Sequence, residues 1–403
     1  MTNFFSGLPV GGRVTIRLTR TDTAAFLDQD VLQYGVPPAT TGPNASFSIT
    51  LSGAPVDFIA PCAVFLRCAN FTGFRGFDNN PISEPSGTAN VYDPTQQEIT
   101  VEWFFPDESY TPFVTPNIPT AWRNRNAATG KQVAHVFTTA GNKAVPAIAF
   151  DSQGNWGFAS YTFQAGGNSP AITAQADLFP TTKTIVWSQS SNWTGEPTGA
   201  VRCTTIAEVH AAMRTQFSLT GVANKQCRVL LRRGETFTDV GYFDVSSNST
   251  GFPGGTTYNY RDNVKGLVLG AYGTGAAPII QNTAFTGTNV RTPDRSDFRQ
   301  LIVQDIEFRG DYDPTKETGR TSAVFQAEPI SYSCLFHRVR THNHGVPFLL
   351  QSGSPEGSVN SGNVYIHDTD VDGWKDYGLQ FPRSYKFAVI GCDIHQAFDA
   401  LCG

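Results

Sequence analysis

Four ten-residue segments in the last third of the chain share one pattern of apolar and polar residues. Each begins with apolar residues and continues with alternating apolar and polar residues, and three of the four end in Gly or Asn. The segments are Leu301–Gly310, Cys334–Asn343, Val364–Gly373 and Ala388–Ala397. Their first residues are 33, 30 and 24 positions apart. A repeat of this length predicts a solenoid in which each coil packs on the one before it.

A shorter strand-like stretch follows three of these segments. These stretches are Gly345–Leu350, Tyr377–Phe381 and Ala397–Leu401. Two or three short strands cannot bury an apolar face alone, but stacking them about 4.8 Å apart pairs the backbone and creates a continuous core. The unequal spacing fits coils that carry loops of different lengths. We therefore predict that Val303, Phe336, Ile366 and Ile390 line up along a common axis.

One segment ahead of the repeats has helical periodicity. Thr205 and Glu208 form a capping-box pattern, which marks the start of a helix. Apolar residues then recur on one helical face: Ile206, Val209, Met213 and Phe217. This face must pack against other apolar residues, and we predict that it caps the first coil of the stack.

Residues 201–403 resemble a right-handed parallel β-helix of the pectate-lyase-like superfamily. The resemblance rests on the repeated segments and on Arg228–Phe237, which is similar to the first coil of that superfamily and of phage tailspikes. Members of this kind cut polysaccharides, bind them or serve as shafts, and the phage proteins are typically homotrimers. Because the sequence stops at Gly403 inside a predicted coil, we expect an incomplete stack or one whose edge is covered by trimerisation.

Residues 51–165 contain spaced strand-like runs without helical periodicity, which predicts a β-sandwich. The segments that carry a second resemblance are Pro61–Phe65, Trp103–Asp107, Asn126–Gly130 and Ala134–Phe137, followed by Ala140-Gly141. They resemble a PKD-like immunoglobulin domain, a module that acts as a spacer or a protein contact. That family usually has Trp-x-Phe-Gly-Asp, and Pro106 stands here in place of the Gly, so we expect a different turn.

The predicted fold class is therefore all-β, a PKD-like β-sandwich followed by a right-handed parallel β-helix with one N-terminal capping helix. The expected parts are a β arm or attachment segment (1–50), the sandwich (51–165), a polar connector (166–200) and the β-helix (201–403). Charged residues make up only 16% of the chain, which also has 38 Gly and 25 Pro. Such a composition favours strands joined by many turns.

The charge balance and the N-terminal sequence limit the partners and the location. A net charge of −5 argues against nucleic acid as the main partner, since phosphate binding needs a basic surface. The sequence has no run of 18 apolar residues, which argues against a membrane-spanning helix. The first residues lack the basic and apolar regions of a secretion signal. We expect a protein used without such export, or one whose signal is missing.

Outward-facing positions of the repeated segments carry the candidate chemistry. Aligning the segments gives two columns of alternating sign: Asp305, Arg338 and Asp368, and Glu307, Arg340 and Asp370. One interpretation is plain ion pairing on a solvated surface. The other is a glycan groove, in which a polysaccharide lyase needs a base and cationic groups near the developing enolate. The lyase candidates are Arg340, His342 and Lys375.

Carboxylates and aromatic rings in the third segment allow two other kinds of site. A glycosidase needs a pair of carboxylates, for which Asp370, Asp372 and Asp376 are candidates, while Trp374 and Tyr377 offer ring faces for sugar stacking. The spacing of Asp368, Asp370 and Asp372 also matches the first half of a calcium loop, but Leu379 stands where the closing Glu is required. We therefore expect no cofactor, with calcium as the alternative.

The leading hypothesis is a phage-like virion fibre or tailspike that binds a host surface polysaccharide through its β-helix. It would be a homo-oligomer, with a trimer favoured, and would contact other virion proteins through its N-terminal region. The first alternative is a secreted polysaccharide lyase or glycoside hydrolase. The second is a bacterial surface adhesin, which would place the protein outside the cell or on its surface.

Overall fold

A computed structural model describes most of the two β-rich regions of the chain. The described residues are 14–15, 18–19, 26–28, 31–32, 43–53, 55, 57–76, 81, 99–105, 127–151, 153–217, 219, 225–238, 243–244, 265–281, 290–291, 300–310, 323–327, 333–344, 346–350, 363–374, 379–380 and 386–397. Near the N-terminus, β1 (Val14–Thr15), β2 (Leu18–Thr19), β3 (Phe26–Asp28) and β4 (Val31–Leu32) form two antiparallel pairs, β1 with β4 and β2 with β3.

The next strands form two antiparallel sheets, which we call the antiparallel unit. They are β5 (Ser46–Gly53), β6 (Cys62–Thr72), β7 (Ile99–Phe104), β8 (Ala127–Thr129), β9 (Gln132–Phe137), β10 (Lys143–Asp151) and β11 (Trp156–Phe163). One sheet has the order β5-β6-β9 and the other β11-β10-β7-β8. Alternate residues of these strands enter one shared core, as period-two patterning requires. Trp103 is fully buried there, and its indole N–H donates to the Gly130 carbonyl at 2.6 Å.

Two short helical segments, α1 (Gln175–Leu178) and a 3-10 turn (Thr181–Lys183), lead from this unit into a long series of parallel strands. These strands, the parallel stack, are β12 (Thr184–Trp187), β13 (Val201–Cys203), β14 (Gln226–Arg232), β15 (Thr236–Thr238), β16 (Phe243–Asp244), β17 (Gly266–Tyr272), β18 (Ile279–Gln281), β19 (Val290–Arg291), β20 (Gln300–Gln304), β21 (Glu307–Arg309), β22 (Ala323–Ala327), β23 (Ser333–His337), β24 (Arg340–His344), β25 (Val346–Leu350), β26 (Asn363–His367), β27 (Asp370–Trp374), β28 (Leu379–Gln380), β29 (Lys386–Ile390) and β30 (Asp393–Ala397).

The stack consists of three parallel sheets. The first has the order β13-β12-β14-β17-β20-β23-β26-β29, the second β15-β18-β21-β24-β27-β30 and the third β16-β19-β22-β25-β28. Each coil contributes successive strands to the three sheets, so neighbours in a sheet come from successive coils. The prediction of a β-rich chain with parallel pairing after Arg228 is confirmed. The first sheet begins earlier than expected, because β12 lies in the segment assigned to the connector.

The pairing register tests the predicted alignment directly. Val303 lies opposite Phe336, and Phe336 lies opposite Ile366, as predicted. Ile366 pairs with Val389, however, and Ile390 pairs with His367. The alignment of the last coil is therefore wrong by one residue. Residues 387–390 are all apolar, so their sequence contains no alternation that would identify the residues facing the core.

A single apolar core fills the space between the three sheets. Side chains from successive coils stack in it, and they include Val229, Leu269, Val303, Phe336 and Ile366. Phe336 also contacts Phe348 of the third sheet, with the two rings edge to face and their centroids 5.1 Å apart. A single coil could not form such a core, because each coil buries its apolar side chains against those of its neighbours.

Helix α2 (Ile206–Phe217) packs against the first strands of the stack, as predicted. Its capping box is formed, because the Glu208 amide donates to Thr205 Oγ1 at 3.3 Å and the Thr205 amide donates to Glu208 Oε2 at 3.2 Å. Val209, Met213 and Phe217 are buried against β12, β13 and β14.

The outer face of the first sheet is covered by the antiparallel unit from β17 to β26. Ile302, Leu335 and Tyr365 from successive coils pack against β6 and β9, and the Tyr365 ring lies 4.6 Å from that of Phe65. The Gln300 side chain accepts from the Asp57 amide at 2.8 Å and donates to the Asp57 carbonyl at 3.1 Å. These strands of the first sheet are therefore buried on both faces, which explains their continuous apolar runs.

Candidate functional site

The outer face of the second sheet carries the polar residues that the sequence places in columns. One inward-facing residue of each of β21, β24 and β27 is fully buried: Phe308, Thr341 and Val371. The residues on either side of them face away from the core. Equivalent residues of successive coils lie opposite one another in this sheet. Outward-facing side chains of successive coils therefore form columns, in which neighbours are separated by the distance between adjacent strands.

The first outward column contains Glu307, Arg340, Asp370 and Asp393 in that order. Its alternation of sign from Glu307 to Asp370 agrees with the alignment made from the sequence. Arg340 Nε lies 3.8 Å from Asp370 Oδ2. Arg340 is partly exposed, so this ion pair contributes little to stability by itself.

The second outward column contains Arg309, His342 and Asp372, and His395 occupies the next position in the register. The His342 Nδ1–H donates to Asp372 Oδ2 at 3.2 Å, and His342 Nε2 lies 3.8 Å from Glu307 Oε1. One imidazole is thus flanked by carboxylates from the coils before and after it. Arg309 Nε donates to the same Glu307 Oε1 at 2.5 Å, which holds that carboxylate towards the ring.

These residues line an open cleft of about 340 Å³, which we call the second-sheet cleft. Its lining residues are Gln281, Glu307, Arg309, Gly310, His342, Asn343 and Asp372. They provide hydrogen-bond donors and acceptors together with both signs of charge. Asn343 and Gly373 have positive φ angles of 57° and 65° and end the outward-facing part of their strands.

The cleft can bind a polar ligand and has groups able to transfer protons. Hydroxyl groups of a sugar can donate to carboxylates and accept from arginine or imidazole N–H groups. A histidine next to carboxylates is also the usual arrangement of an acid or base held in one orientation. Glu307 and Asp372 lie on opposite sides of His342, so they also form the candidate carboxylate pair of a glycosidase.

The structure brings together some of the predicted site residues and extends the set. Arg340, His342, Asp370 and Asp372 share the outer face of the second sheet. Glu307 was placed in a column from the sequence but was not predicted as a site residue, and Arg309 was missed. Both occupy the outward positions of the segment Leu301–Gly310, so the same alignment contains the signal that would have identified them.

Trp374, which is predicted to offer its ring for sugar stacking, lies in the core. It is only 4% exposed and packs with Val371 in the core of the stack. Strict alternation would place Trp374 on the same side as Asp370 and Asp372, but Gly373 precedes it with a positive φ and interrupts that alternation. Lys375, Asp376 and Tyr377 lie outside the described residues.

Asp368 does not belong to the strand that carries Asp370 and Asp372. It lies in the turn between the first and second sheets, with φ 51°, and its amide donates to the Ile390 carbonyl at 2.9 Å. Asp305 and Arg338 occupy the same turn in earlier coils, with Arg338 Nε 3.0 Å from Asp305 Oδ1. Within the described part of the chain, no group of three or more His, Cys, Asp or Glu side chains is arranged to hold a metal ion.

Comparison of the chain with protein-family models, with curated proteins and with solved structures finds no match. Across the described ranges, no helix has the length and apolar character that crossing a membrane requires.

Proposed function

We propose that the second-sheet cleft binds a surface polysaccharide and that the chain is the glycan-binding part of a phage-like virion fibre or tailspike. The observation that carries this proposal is His342, whose ring nitrogens face Asp372 on one side and Glu307 on the other. Such a row of donors and acceptors suits the hydroxyl groups of a sugar chain. An open cleft along a sheet also suits an extended ligand better than a compact one.

In this proposal the parallel stack is a right-handed β-helix of the pectate-lyase-like kind, and the antiparallel unit is a PKD-like sandwich. The three parallel sheets with their stacked core support the first assignment. The two antiparallel sheets with a shared core and a buried Trp103 support the second. The antiparallel unit precedes the parallel stack in the chain, and this order supports the assignment to a virion fibre. We further propose a trimer whose N-terminal region contacts other virion proteins.

The binding experiment uses the whole chain and a panel of acidic and neutral bacterial surface polysaccharides, with affinity measured by calorimetry. We expect the wild-type protein to bind at least one polysaccharide, and Asp372→Asn and Glu307→Gln to weaken that binding about tenfold or more, or ~1.4 kcal/mol. Asp177→Asn makes the same chemical change at an exposed residue of α1 and should leave the affinity unchanged. Failure to bind any polysaccharide, or equal affinities for all the variants, would contradict the proposal.

A second candidate function is cleavage of the bound glycan. The observation that favours it is the pair of carboxylates, Glu307 and Asp372, on the two sides of His342. Incubation with each bound polysaccharide distinguishes the reactions, because a lyase produces unsaturated sugars that absorb ultraviolet light and a glycosidase produces new reducing ends. Products that disappear in both carboxylate variants would assign an enzyme, whereas binding without products assigns adhesion.

A further inference from the structure

Two histidines from successive coils form a buried pair on the outer face of the first sheet. His337 lies opposite His367 in the β23–β26 pairing, and the two Nδ1 atoms are 2.9 Å apart. The ring centroids are 5.0 Å apart, and both residues are nearly inaccessible to solvent. This pair is on a different sheet from the second-sheet cleft, so the inference drawn from it does not depend on glycan binding.

The histidine pair lies at the boundary between the parallel stack and the antiparallel unit. His337 lines a cavity of about 470 Å³ together with residues from both sides. The antiparallel unit contributes Pro61 and Thr139, and Gln175 of α1 connects the two sides by donating to the Ala60 carbonyl at 3.0 Å and to Gln304 Oε1 at 2.9 Å. Tyr365, two residues before His367, is in the apolar contact between the two parts.

The 2.9 Å separation restricts the protonation state of the pair. A hydrogen bond between two imidazole nitrogens needs one N–H donor and one bare nitrogen acceptor. If each ring carries protons on both of its nitrogens, neither Nδ1 can accept, so the hydrogen bond is lost and two positively charged rings lie in contact in a poorly solvated place. Because like charges at this distance repel strongly away from water, the folded boundary excludes the doubly protonated pair.

The charged groups around the pair are cations as well as carboxylates, and the charges that lower the pKa of His337 are those of His367 and Arg338. On the stack, Arg338 lies beside His337 and forms an ion pair with Asp305. Asp305 also forms an ion pair with Arg233, with 3.1 Å between Arg233 Nη2 and Asp305 Oδ2. Asp368 follows His367 in the turn and is buried. On the antiparallel unit, Lys143 donates to Thr139 of the cavity at 2.6 Å, and His135 stacks on Phe105 in the core of that unit. Among the described residues, His135 Nε2 has no hydrogen-bond partner.

Burial and neighbouring charges lower the pKa values of these histidines to different extents. Burial lowers the pKa of His367 to about 4. Burial, together with the charges of His367 and Arg338, lowers the pKa of His337 well below its usual value. In the core of the antiparallel unit, burial and the charges of His367 and Lys143 lower the pKa of His135 to about 3. All three rings therefore resist protonation while they are buried.

We propose that the His337–His367 pair makes the boundary an acid-sensitive joint, which opens on acidification and separates the antiparallel unit from the parallel stack while each keeps its own core. Opening exposes both rings to water, where they take up protons more readily, and this uptake favours the open state as pH falls. The two parts have separate cores, with Trp103 in one and Phe336 in the other, so the boundary can open before either part unfolds.

The test is hydrogen exchange measured by mass spectrometry on the whole chain between pH 7.5 and 4, corrected for the intrinsic pH dependence of exchange. For the wild type we expect protection to fall at the boundary strands β9, β23 and β26 below pH about 6, with protection at β7 and β14 retained. Small-angle X-ray scattering should show a larger radius of gyration over the same pH range. Loss of protection everywhere at one pH would be global unfolding and would overturn the proposal.

A double variant separates the histidine pair from other effects of acid. In His337→Asn/His367→Asn each side-chain amide places a polar atom near the position of Nδ1, so the hydrogen bond is kept while the titration is removed. We expect the opening midpoint to fall by about one pH unit or more. His342→Asn, which changes a histidine of the second sheet, should leave it unchanged. Equal midpoints for the wild type and the double variant would overturn the proposal, and if the double variant does not fold, the wild-type exchange pattern still decides.

Discussion

The imidazole of His342 donates to the carboxylate of Asp372 one coil further along, with 3.2 Å between Nδ1 and Oδ2. The two residues are 30 positions apart in sequence, and the parallel register of β24 and β27 makes them neighbours. The same register brings Glu307 of the preceding coil towards the opposite side of the ring. Three residues that are distant in the chain therefore form one continuous row on the surface of the second sheet.

The first prediction concerns this row. We expect His342→Ala to weaken glycan binding about tenfold, or ~1.4 kcal/mol, because it removes the donor to Asp372 and leaves two carboxylates without the ring between them. Calorimetric titration with the bound polysaccharide measures the affinity. The free energy of unfolding should change little, since His342 is partly exposed. An unchanged affinity would mean that the glycan binds elsewhere.

The core of the stack gives a second prediction. Phe336 is fully buried and contacts Phe348, so Phe336→Ala should lower the free energy of unfolding by about 3–5 kcal/mol through lost burial and the cavity that remains. Phe158→Ala is the matched control, because Phe158 is 54% exposed on β11 and its truncation should cost less than about 1 kcal/mol. Urea denaturation measures both. Similar losses in the two variants would contradict the stacked core.

The register of the first three repeated segments could be predicted because their apolar and polar residues alternate. Val303 and Phe336 face the core for that reason, and the polar residues between such positions face outwards. The last coil could not be aligned, because Phe387 and its three successors are all apolar. The position of Trp374 could not be predicted either, since it depends on the positive φ of Gly373, which interrupts the alternation. His344 is buried in the same way after Asn343.

Contacts between distant parts of the chain could not be predicted from the pattern of apolar and polar residues. Continuous apolar runs such as Leu301–Val303 indicate burial on both faces of a strand but do not say what covers the outer face. The structure shows that the antiparallel unit covers it, through Phe65 on Tyr365 and Asp57 on Gln300. The histidine pair at that boundary could not be predicted either, because its burial depends both on the register of β23 and β26 and on the unit that covers them.

The capping box of α2 gives a third prediction. Thr205→Ala removes the acceptor of the Glu208 amide and should lower the free energy of unfolding by about 1 kcal/mol. Thr215→Ala changes the same residue type inside the helix, where Thr215 donates to the Ala211 carbonyl, and should be neutral or slightly stabilising because Ala has the higher helix propensity. Thermal and urea denaturation of both variants check this. An equal effect of the two substitutions would show that the cap contributes nothing specific.

The turn that ends β27 gives a fourth prediction. Gly373 has φ +65°, and a Cβ at this position would lie 2.5 Å from Asn343 Oδ1. Gly373→Ala should therefore lower the free energy of unfolding by about 1–3 kcal/mol. Gly266→Ala is the matched control, since the nearest atom to its added Cβ would be 3.6 Å away and its φ is not in the left-handed region. The control should change stability by less than about 1 kcal/mol, as measured by urea denaturation. A neutral Gly373→Ala would contradict the described turn.

The fifth prediction concerns the core histidine of the second sheet. His344 lies opposite Trp374 and is fully buried, and burial lowers its pKa to about 3, although a backbone hydrogen bond at Phe308 acts in the opposite direction. Above pH about 6.5 the ring is neutral in both the folded and the unfolded chain and contributes no pH dependence. Below that pH the unfolded chain takes up a proton that the folded chain does not. Stability is therefore lost as pH falls from about 6.5 towards 3, by up to about 1.4 kcal/mol per pH unit for this residue.

His344→Asn removes this contribution while keeping a polar side chain. Urea denaturation of the wild type and the variant at pH 7.5, 6 and 5 gives the two dependences on pH. The variant should be less stable than the wild type at pH 7.5, because a buried ring is replaced by a smaller group. Its free energy of unfolding should nevertheless fall less steeply below pH about 6.5, since one fewer histidine titrates in the unfolded chain alone. Parallel curves would mean that His344 is protonated equally in both states and is therefore not enclosed in the core.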